Sequence, residues 1–123
     1  MNIQRTKKYA ILNTASSFDA LAGKESLDAA LILASYEMDV SLFFIGDGVF
    51  QSQTQQTPEG IGAKDYISTF KALTFYDIDN IYICEKSLIA RNLSTDVVFA
   101  NANIVTSEQI TKQLAEFDIV LTF

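Results

Sequence analysis

Five short apolar runs recur along the chain, and their spacing restricts the fold more than any other feature of the sequence. Each run is almost continuously apolar instead of alternating with polar residues, which is typical of strands covered on both faces of a sheet. The five predicted strands run from Lys8 to Thr14, Asp39 to Gly46, Asn80 to Cys84, Asp96 to Ala102 and Asp118 to Phe123.

Segments with helical spacing separate these runs. Helices are predicted from Gly23 to Met38, from Ala63 to Tyr76 and from Thr106 to Asp118, with a short helix or turn from Glu85 to Leu93. Thr106 and Gln109 fit a capping box at the start of the last helix. This alternation predicts a three-layer α/β/α fold with a five-stranded, mostly parallel sheet and Rossmann-like topology. Residues 1–123 are expected to form a single domain, with 1–7 as a flexible start.

The first predicted helix is apolar on most of its sides, because Asp28 and Ser35 are the only polar residues between Leu27 and Tyr36. A helix that covers one face of a sheet needs only one apolar stripe. We therefore predict that this helix packs against another subunit and that the isolated chain is not a stable monomer. The predicted interface residues are Leu27, Ala30, Leu31, Leu33, Ala34 and Tyr36. The sequence leaves open which side of the helix faces outward.

Charge and composition disfavour several classes of function. The net charge of −6 and the pI of about 4.4 disfavour direct binding to nucleic acid, which usually requires a basic surface. The chain has no histidine, which excludes Ser-His-Asp and Cys-His catalysis within it and removes a usual zinc ligand. The segment AGKES around Gly23 lacks the upstream glycine of a phosphate loop and has Glu25 where Ser or Thr is needed. We expect no cofactor and no metal.

The single cysteine and the lengths of the apolar runs indicate the cellular compartment in which the protein is found. One cysteine cannot form an internal disulfide, which fits a reducing compartment. No run approaches the roughly 18 apolar residues that a membrane-spanning helix needs. We therefore expect a cytoplasmic protein that does not contact a membrane.

Cys84 is the one candidate for sulfur chemistry. It lies at the carboxyl end of the third predicted strand, where sites form in parallel sheets, and a helix beginning at Glu85 could stabilise a thiolate. A buried, inert thiol fits the same position, because cysteine is among the residue types most often buried. Glu85 also disfavours an adjacent anion.

Several segments together resemble the TusC/DsrF-like family of small sulfur-relay subunits. They are GKESLDAAL, VSLFFIGDGVFQ, AKDYISTFKALTFYDI, IYICEKSLIARNL and FDIVLTF, and the resemblance extends from about Tyr9 to Phe123. It implies a DsrEFH-like fold and assembly with TusB-like and TusD-like subunits as a dimer of heterotrimers. It further implies a relay of persulfide sulfur from a TusA-like donor to a TusE-like acceptor, ending in the 2-thio group of wobble uridine in tRNA.

The resemblance also affects the interpretation of Cys84. In this family the principal persulfide cysteine belongs to the TusD or DsrE subunit and lies in a local setting similar to IYICEKSL. The resemblance therefore implies that Cys84 occupies the corresponding position in a sister of that subunit. We expect a structural subunit that is not a catalyst on its own. Two alternatives stay open: a self-sufficient persulfide sulfurtransferase acting through Cys84, and a DsrF-type subunit in dissimilatory sulfur oxidation.

Overall fold

The apolar runs assemble into one sheet in the computed structural model, which describes residues 7–15, 20–52, 78, 80–95 and 102–123. Its strands and helices, in chain order, are β1 Lys8–Asn13, α1 Ala20–Ser35, β2 Asp39–Phe44, a 3-10 helix Gly46–Ser52, β3 Asn80–Cys84, α2 Glu85–Ala90, β4 Asn103–Val105, α3 Ser107–Leu114 and β5 Ile119–Thr122. Among the described residues, no helix has both the length and the apolar character needed to cross a bilayer.

The sheet has the strand order β4-β3-β2-β1-β5, and all four pairings between neighbouring strands are parallel. The chain moves outward in one direction from β1 to β4 and then returns to place β5 beside β1. Because parallel crossovers are right-handed, this reversal requires α1 and α3 to lie on opposite faces of the sheet. The core residues agree, since Leu27 and Ala30 of α1 pack on one face and Ile110 of α3 packs on the other. The predicted three-layer α/β/α fold is confirmed.

The two faces of the sheet divide each strand by alternate residues, as the pleat of a strand requires. On the face covered by α1, the buried apolar strand residues are Ile11, Val40, Leu42, Phe44, Ile81 and Ile83. On the face covered by α3, they are Ala10, Phe43 and Cys84. The Phe43 ring stacks on Tyr82 at 5.0 Å between centroids and meets Phe117 edge-on at 5.6 Å. The apolar runs are thus continuous because both faces of the sheet are buried.

Local backbone chemistry sets the ends of the helices. At α3, the Thr106 side chain accepts from the backbone N–H of Gln109 at 3.1 Å, and the Gln109 side chain accepts from the backbone N–H of Thr106 at 2.9 Å. This is the predicted capping box. At the end of α1, Glu37 adopts a left-handed backbone conformation with φ of 61°, while Met38 N–H donates to Leu33 O. That Schellman-type closure ends the helix at Ser35, three residues before the predicted end.

Other predicted elements also differ from the structure, and one lies outside the described residues. β4 begins at Asn103, after the predicted run from Asp96 to Ala102, because Asn103 is the residue that pairs with Tyr82 of β3. Residues 96–101 lie outside the described residues. The segment GDGVFQ after β2 lies in the 3-10 helix. The amphipathic helix predicted from Ala63 to Tyr76 falls wholly outside the described residues.

Candidate functional site at the carboxyl edge of the sheet

The carboxyl ends of the strands are where open parallel sheets place their binding and catalytic groups. At this edge the chain brings together the end of β1, the 3-10 helix that follows β2, and the end of β3 with α2. Cys84, the candidate named from the sequence, is the last residue of β3 and also the N-cap of α2.

The Cys84 side chain is part of the hydrophobic core. It is 5% exposed and belongs to the cluster that contains Ala10, Phe43 and Ile110 on the α3 face of the sheet. A persulfide relay requires direct attack of one sulfur on another, so the sulfur must be reachable from outside. In this conformation the thiol is inaccessible to the thiol of another protein.

The helix after Cys84 does not support an exposed thiolate either. As N-cap, Cys84 could receive N–H groups from the first turn of α2, but its side chain makes no capping hydrogen bond. The first turn instead carries Glu85, an exposed carboxylate in a position that the helix dipole favours for negative charge. The sequence predicted that this helix could stabilise a thiolate at Cys84. No capping hydrogen bond of the Cys84 side chain supports that prediction.

Two polar contacts connect the segment after β2 to α2. The backbone N–H of Gly46 donates to the Ser87 hydroxyl at 2.9 Å, and Arg91 Nε donates to the Asp47 carboxylate at 2.9 Å. Arg91 also donates from Nη1 to the carbonyl of Ser87 at 3.3 Å. Asp47 thus pairs with a residue 44 positions away in the sequence. Because both charged groups are partly exposed, the pair contributes at most about 1 kcal/mol, and its main effect is to fix the relative positions of two segments.

A buried polar network lies on the other side of the 3-10 helix. Asn13, 2% exposed, donates from Nδ2 to the carbonyl of Phe43 at 3.2 Å and accepts through Oδ1 from the Ser26 hydroxyl. Gln51, also buried, donates from Nε2 to the carbonyl of Ala15 at 2.6 Å. These contacts join β1, β2, α1 and the 3-10 helix. No sequence motif predicted these hydrogen bonds. The sequence shows only that a polar residue follows the apolar residues in each of these segments.

At Gly48 the backbone of the 3-10 helix lies very close to the backbone of β1. A Cβ built on Gly48 would lie 1.7 Å from the carbonyl oxygen of Asn13 and 2.5 Å from its carbonyl carbon. Both are backbone atoms of a strand that pairs on both sides, so they cannot move aside as a flexible side chain could. The 3-10 helix therefore packs directly on the end of β1, and only glycine fits at position 48.

The predicted interface residues on α1 divide between its inner and outer sides. Leu27 and Ala30 are buried in the chain's own core, and Leu31, Leu33 and Ala34 are half-buried against it, so these five residues face the sheet in this structure. Tyr36 is 71% exposed. Ile32, which is not among the predicted interface residues, is 57% exposed. That α1 contacts another subunit stays a prediction. Among the described side chains of α1 and the turn after it, the large apolar ones exposed to a partner are Ile32 and Tyr36.

The described part of this edge holds several segments together through polar side chains. Its buried polar side chains Asn13, Ser26, Gln51 and Ser52 are neutral and hydrogen-bonded. Within the described residues, no group of three or more His, Cys, Asp or Glu side chains could hold a metal ion.

The sequence is similar to a known protein family along nearly its whole length. The pattern of the DsrE/DsrF-like family matches residues 7–123. Protein TusC of Shigella flexneri serotype 5b (strain 8401) is 36% identical over 118 residues, which cover 95% of this chain and 99% of that protein. Protein TusC of Escherichia coli O9:H4 (strain HS) shows the same identity and coverage.

Two solved structures share the fold. The ychN protein from E. coli, determined by crystallography, superimposes with a TM-score of 0.78 and 24% identity over 97% of this chain and 100% of that chain. A conserved protein of unknown function, BT1422 from Bacteroides thetaiotaomicron, superimposes with a TM-score of 0.67 and 13% identity over 95% of each chain. At these identities the two structures establish the fold alone.

Proposed function

Because the chain belongs to the DsrE/DsrF-like family, we propose that it is a subunit of a cytoplasmic sulfur-relay complex that serves 2-thiolation of the wobble uridine in tRNA. Its sister subunits are TusB-like and TusD-like chains. The complex takes persulfide sulfur from a TusA-like donor and passes it to a TusE-like acceptor. The observation that carries this proposal is the 36% identity to protein TusC along 95% of the chain.

The proposed role of this chain within the complex is structural. The burial of Cys84 among apolar side chains supports that role, because a sulfur carrier must expose its sulfur to two successive partners. The hydrogen-bonded edge around the 3-10 helix supports it as well, because it keeps β1, β2 and α2 in fixed positions. A rigid subunit of this kind holds its sisters in place while another cysteine carries the sulfur.

Replacement of Cys84 by alanine is expected to leave sulfur transfer intact. The substitution deletes one buried sulfur and should cost about 1–2 kcal/mol in the free energy of unfolding through lost packing. The test reconstitutes the relay from purified TusA-like, TusB-like, TusD-like and TusE-like proteins with either the wild-type chain or Cys84→Ala, and measures sulfur reaching the acceptor. Cys84→Ser is the second variant, since it retains the volume but adds a hydroxyl.

The outcomes separate this proposal from its alternatives. If omission of the chain stops the relay and both variants restore it, the chain is required as a structural subunit. If omission stops the relay and neither variant restores it, while both still assemble, Cys84 is a working sulfur carrier. If the wild-type chain does not join the complex at all, the proposed function is wrong.

The isolated chain is expected not to bind tRNA. The net charge of −6 opposes the phosphate backbone, and no counterions are released on binding without a cluster of cations. We expect no saturable binding of fluorescently labelled tRNA up to about 100 µM chain at physiological salt, a concentration at the weak limit of the usual range of nonspecific dissociation constants. Tight binding that weakens as salt is added would contradict this expectation.

A further inference from the structure

β5 is an edge strand, and its outer side pairs with no strand in the part of the chain that the structure describes. The N–H of Phe123 donates to the carbonyl of Leu12 at 2.9 Å, and the N–H of Thr14 donates to the carbonyl of Phe123 at 2.9 Å. Both backbone groups of Phe123 therefore face β1. Because successive residues of a strand direct their backbone groups to opposite sides, those of Val120 and Thr122 face away from β1. We call these outward backbone groups the open edge of β5.

The side chains of β5 favour the addition of a further strand. The strand sequence IVLT has no charged residue and no proline, which are usual means of protecting an exposed edge. Val120, which lies beside Ala10 on the α3 face, is 43% exposed, and Thr122 is also exposed. On that face Ile110 of α3 packs with residues of β1, β2 and β3, which places the helix over the middle of the sheet. The open edge is thus accessible to an approaching strand.

The open edge is complementary to a second copy of itself. In an antiparallel pair, two opposite residues that both face the partner exchange their N–H and carbonyl groups. When Leu121 lies opposite Leu121 of a second copy, Val120 lies opposite Thr122 of that copy, and Thr122 lies opposite its Val120. Every outward N–H and carbonyl group of the open edge then has a partner, and the contact has two-fold symmetry.

Charge does not oppose this contact strongly, although the chain is acidic. Asp118, the charged residue nearest to β5 in the sequence, is held against its own β1: its N–H donates to the carbonyl of Lys8 at 2.9 Å, and its Oδ2 accepts from the backbone N–H of Lys8 at 2.7 Å. In the two-fold pair the two Asp118 residues would lie about 20 Å apart along the joined strands, beyond the screening length of about 8 Å at physiological salt.

The other edge of the sheet is a poorer partner for β5. β4 is only three residues long, Asn103–Val105. Pairing of β5 with β4 of the next copy is a head-to-tail contact, which adds further copies unless the rotation closes a ring. Pairing of β5 with itself closes at two copies.

We propose that β5 pairs antiparallel with β5 of a second copy of this chain, about a two-fold axis at Leu121, and joins the two sheets into one. This inference goes beyond the proposed function, because the contact is between two copies of the chain and needs no sister subunit. The backbones of Val120 and Thr122 supply the hydrogen bonds. The half-buried side chains of Ile119 and Leu121 supply apolar contact across the joint.

Substitutions at position 120 test the open edge. Val120→Pro removes an N–H that faces outward, so pairing with β1 is retained, as proline is tolerated where an edge strand faces solvent. Val120→Lys is the second variant, because it places a like charge at the joint in both copies. Val120→Thr is the matched control, since it keeps the N–H and the β-branched shape. Sedimentation velocity of the purified full chain measures dimerisation, and circular dichroism checks folding.

We expect wild type and Val120→Thr to form dimers with micromolar dissociation constants, because the contact is small. Val120→Pro and Val120→Lys should raise the dissociation constant at least about tenfold, through lost hydrogen bonds in one case and repulsion in the other.

A thiol at position 121 tests the register. In the Cys84→Ala background, Leu121→Cys places two thiols opposite each other where Cα atoms are about 4.5 Å apart, a spacing that allows a disulfide. Ile119→Cys is the matched control, because it is also half-buried but its two thiols would lie about 14 Å apart along the strands. We expect mild oxidation to link the first variant into a covalent dimer and not the second.

Four results would overturn the inference. A wild-type chain that stays monomeric up to about 100 µM would show that no such pair forms at concentrations typical of weak specific contacts. Dimers of Val120→Pro as stable as wild type would place the contact on another surface, and equal cross-linking of the two cysteine variants would contradict the register. If the wild-type chain is monomeric and Val120→Pro alone prevents its entry into the relay complex, the open edge belongs to a sister subunit.

Discussion

Gly48→Ala is expected to be among the most destabilising single substitutions in this chain, with a loss of about 3–5 kcal/mol in the free energy of unfolding. The added Cβ would lie 1.7 Å from the carbonyl oxygen of Asn13, which is far inside any real contact. Relief requires the 3-10 helix to lift from the end of β1. That movement would pull against the hydrogen bond from Gln51 to Ala15 and against the contacts to Ser87 and Arg91. Guanidinium unfolding followed by circular dichroism measures the loss.

Gly46→Ala is the matched control two residues away. Gly46 has a left-handed φ of 55°, but the nearest atom to an added Cβ is Arg91 Nη2 at 3.9 Å, so the position has space. Alanine there incurs only the backbone cost of a left-handed conformation, about 1–2 kcal/mol. Equal losses for the two variants would show that contact with Asn13 is not what restricts position 48.

Asn13→Asp is expected to produce a loss of similar size that depends on pH. The side chain of Asn13 is buried, and its Nδ2 donates to the carbonyl of Phe43. A carboxylate at that position would face a carbonyl oxygen with no cation described beside it. An uncompensated buried charge of this kind typically costs about 3–5 kcal/mol at neutral pH. Protonation removes the charge and allows the new carboxyl group to donate to Phe43.

The sign of the pH dependence follows from this preference for the protonated form. Burial should raise the pKa of the introduced carboxyl in the folded state above its unfolded value of about 3.9. The penalty is therefore absent below about pH 4, grows as the pH rises through the unfolded pKa, and is complete above the folded pKa. The difference in unfolding free energy between variant and wild type should narrow as the pH is lowered from 7 to 4. Asn13→Leu is the control, because its loss should not change with pH in that range.

The layers of the fold are predictable from the sequence because they depend on local patterns. Continuous apolar runs such as NIYIC require cover on both faces of a sheet, and alternation with helices requires parallel strands. The capping box at Thr106 and Gln109 is also local, since its two residues are three positions apart. These features hold whatever the rest of the chain does.

The contacts at the carboxyl edge are not predictable in this way, because they join residues that are distant in sequence. Asp47 and Arg91 are 44 residues apart and meet only because β2 and β3 are neighbours in the sheet. The contact of Gly48 with Asn13 likewise depends on β1 lying beside β2. The outward side of α1 was ambiguous for a different reason: with apolar residues on most sides, helical periodicity cannot distinguish Leu33, which faces the core, from Ile32, which does not.

The position of Cys84 illustrates both kinds of inference. Its place at the end of β3 and before a helix was predicted correctly from the sequence, because both features are local. Its burial was left undecided, because it depends on Ala10, Phe43 and Ile110 from three other elements. This burial is the observation that supports the proposed structural role of the chain.

Direct detection of sulfur on Cys84 tests that role most sharply. The assembled complex is supplied with persulfidated TusA-like donor carrying isotopically labelled sulfur, quenched at intervals with an alkylating agent, and analysed by peptide mass spectrometry. We expect the label to pass to a cysteine of a sister subunit and then to the TusE-like acceptor, while the peptide containing Cys84 stays free of added sulfur throughout. Labelled persulfide on Cys84 that appears and decays as fast as the acceptor gains sulfur would contradict the account and make Cys84 a carrier in the relay.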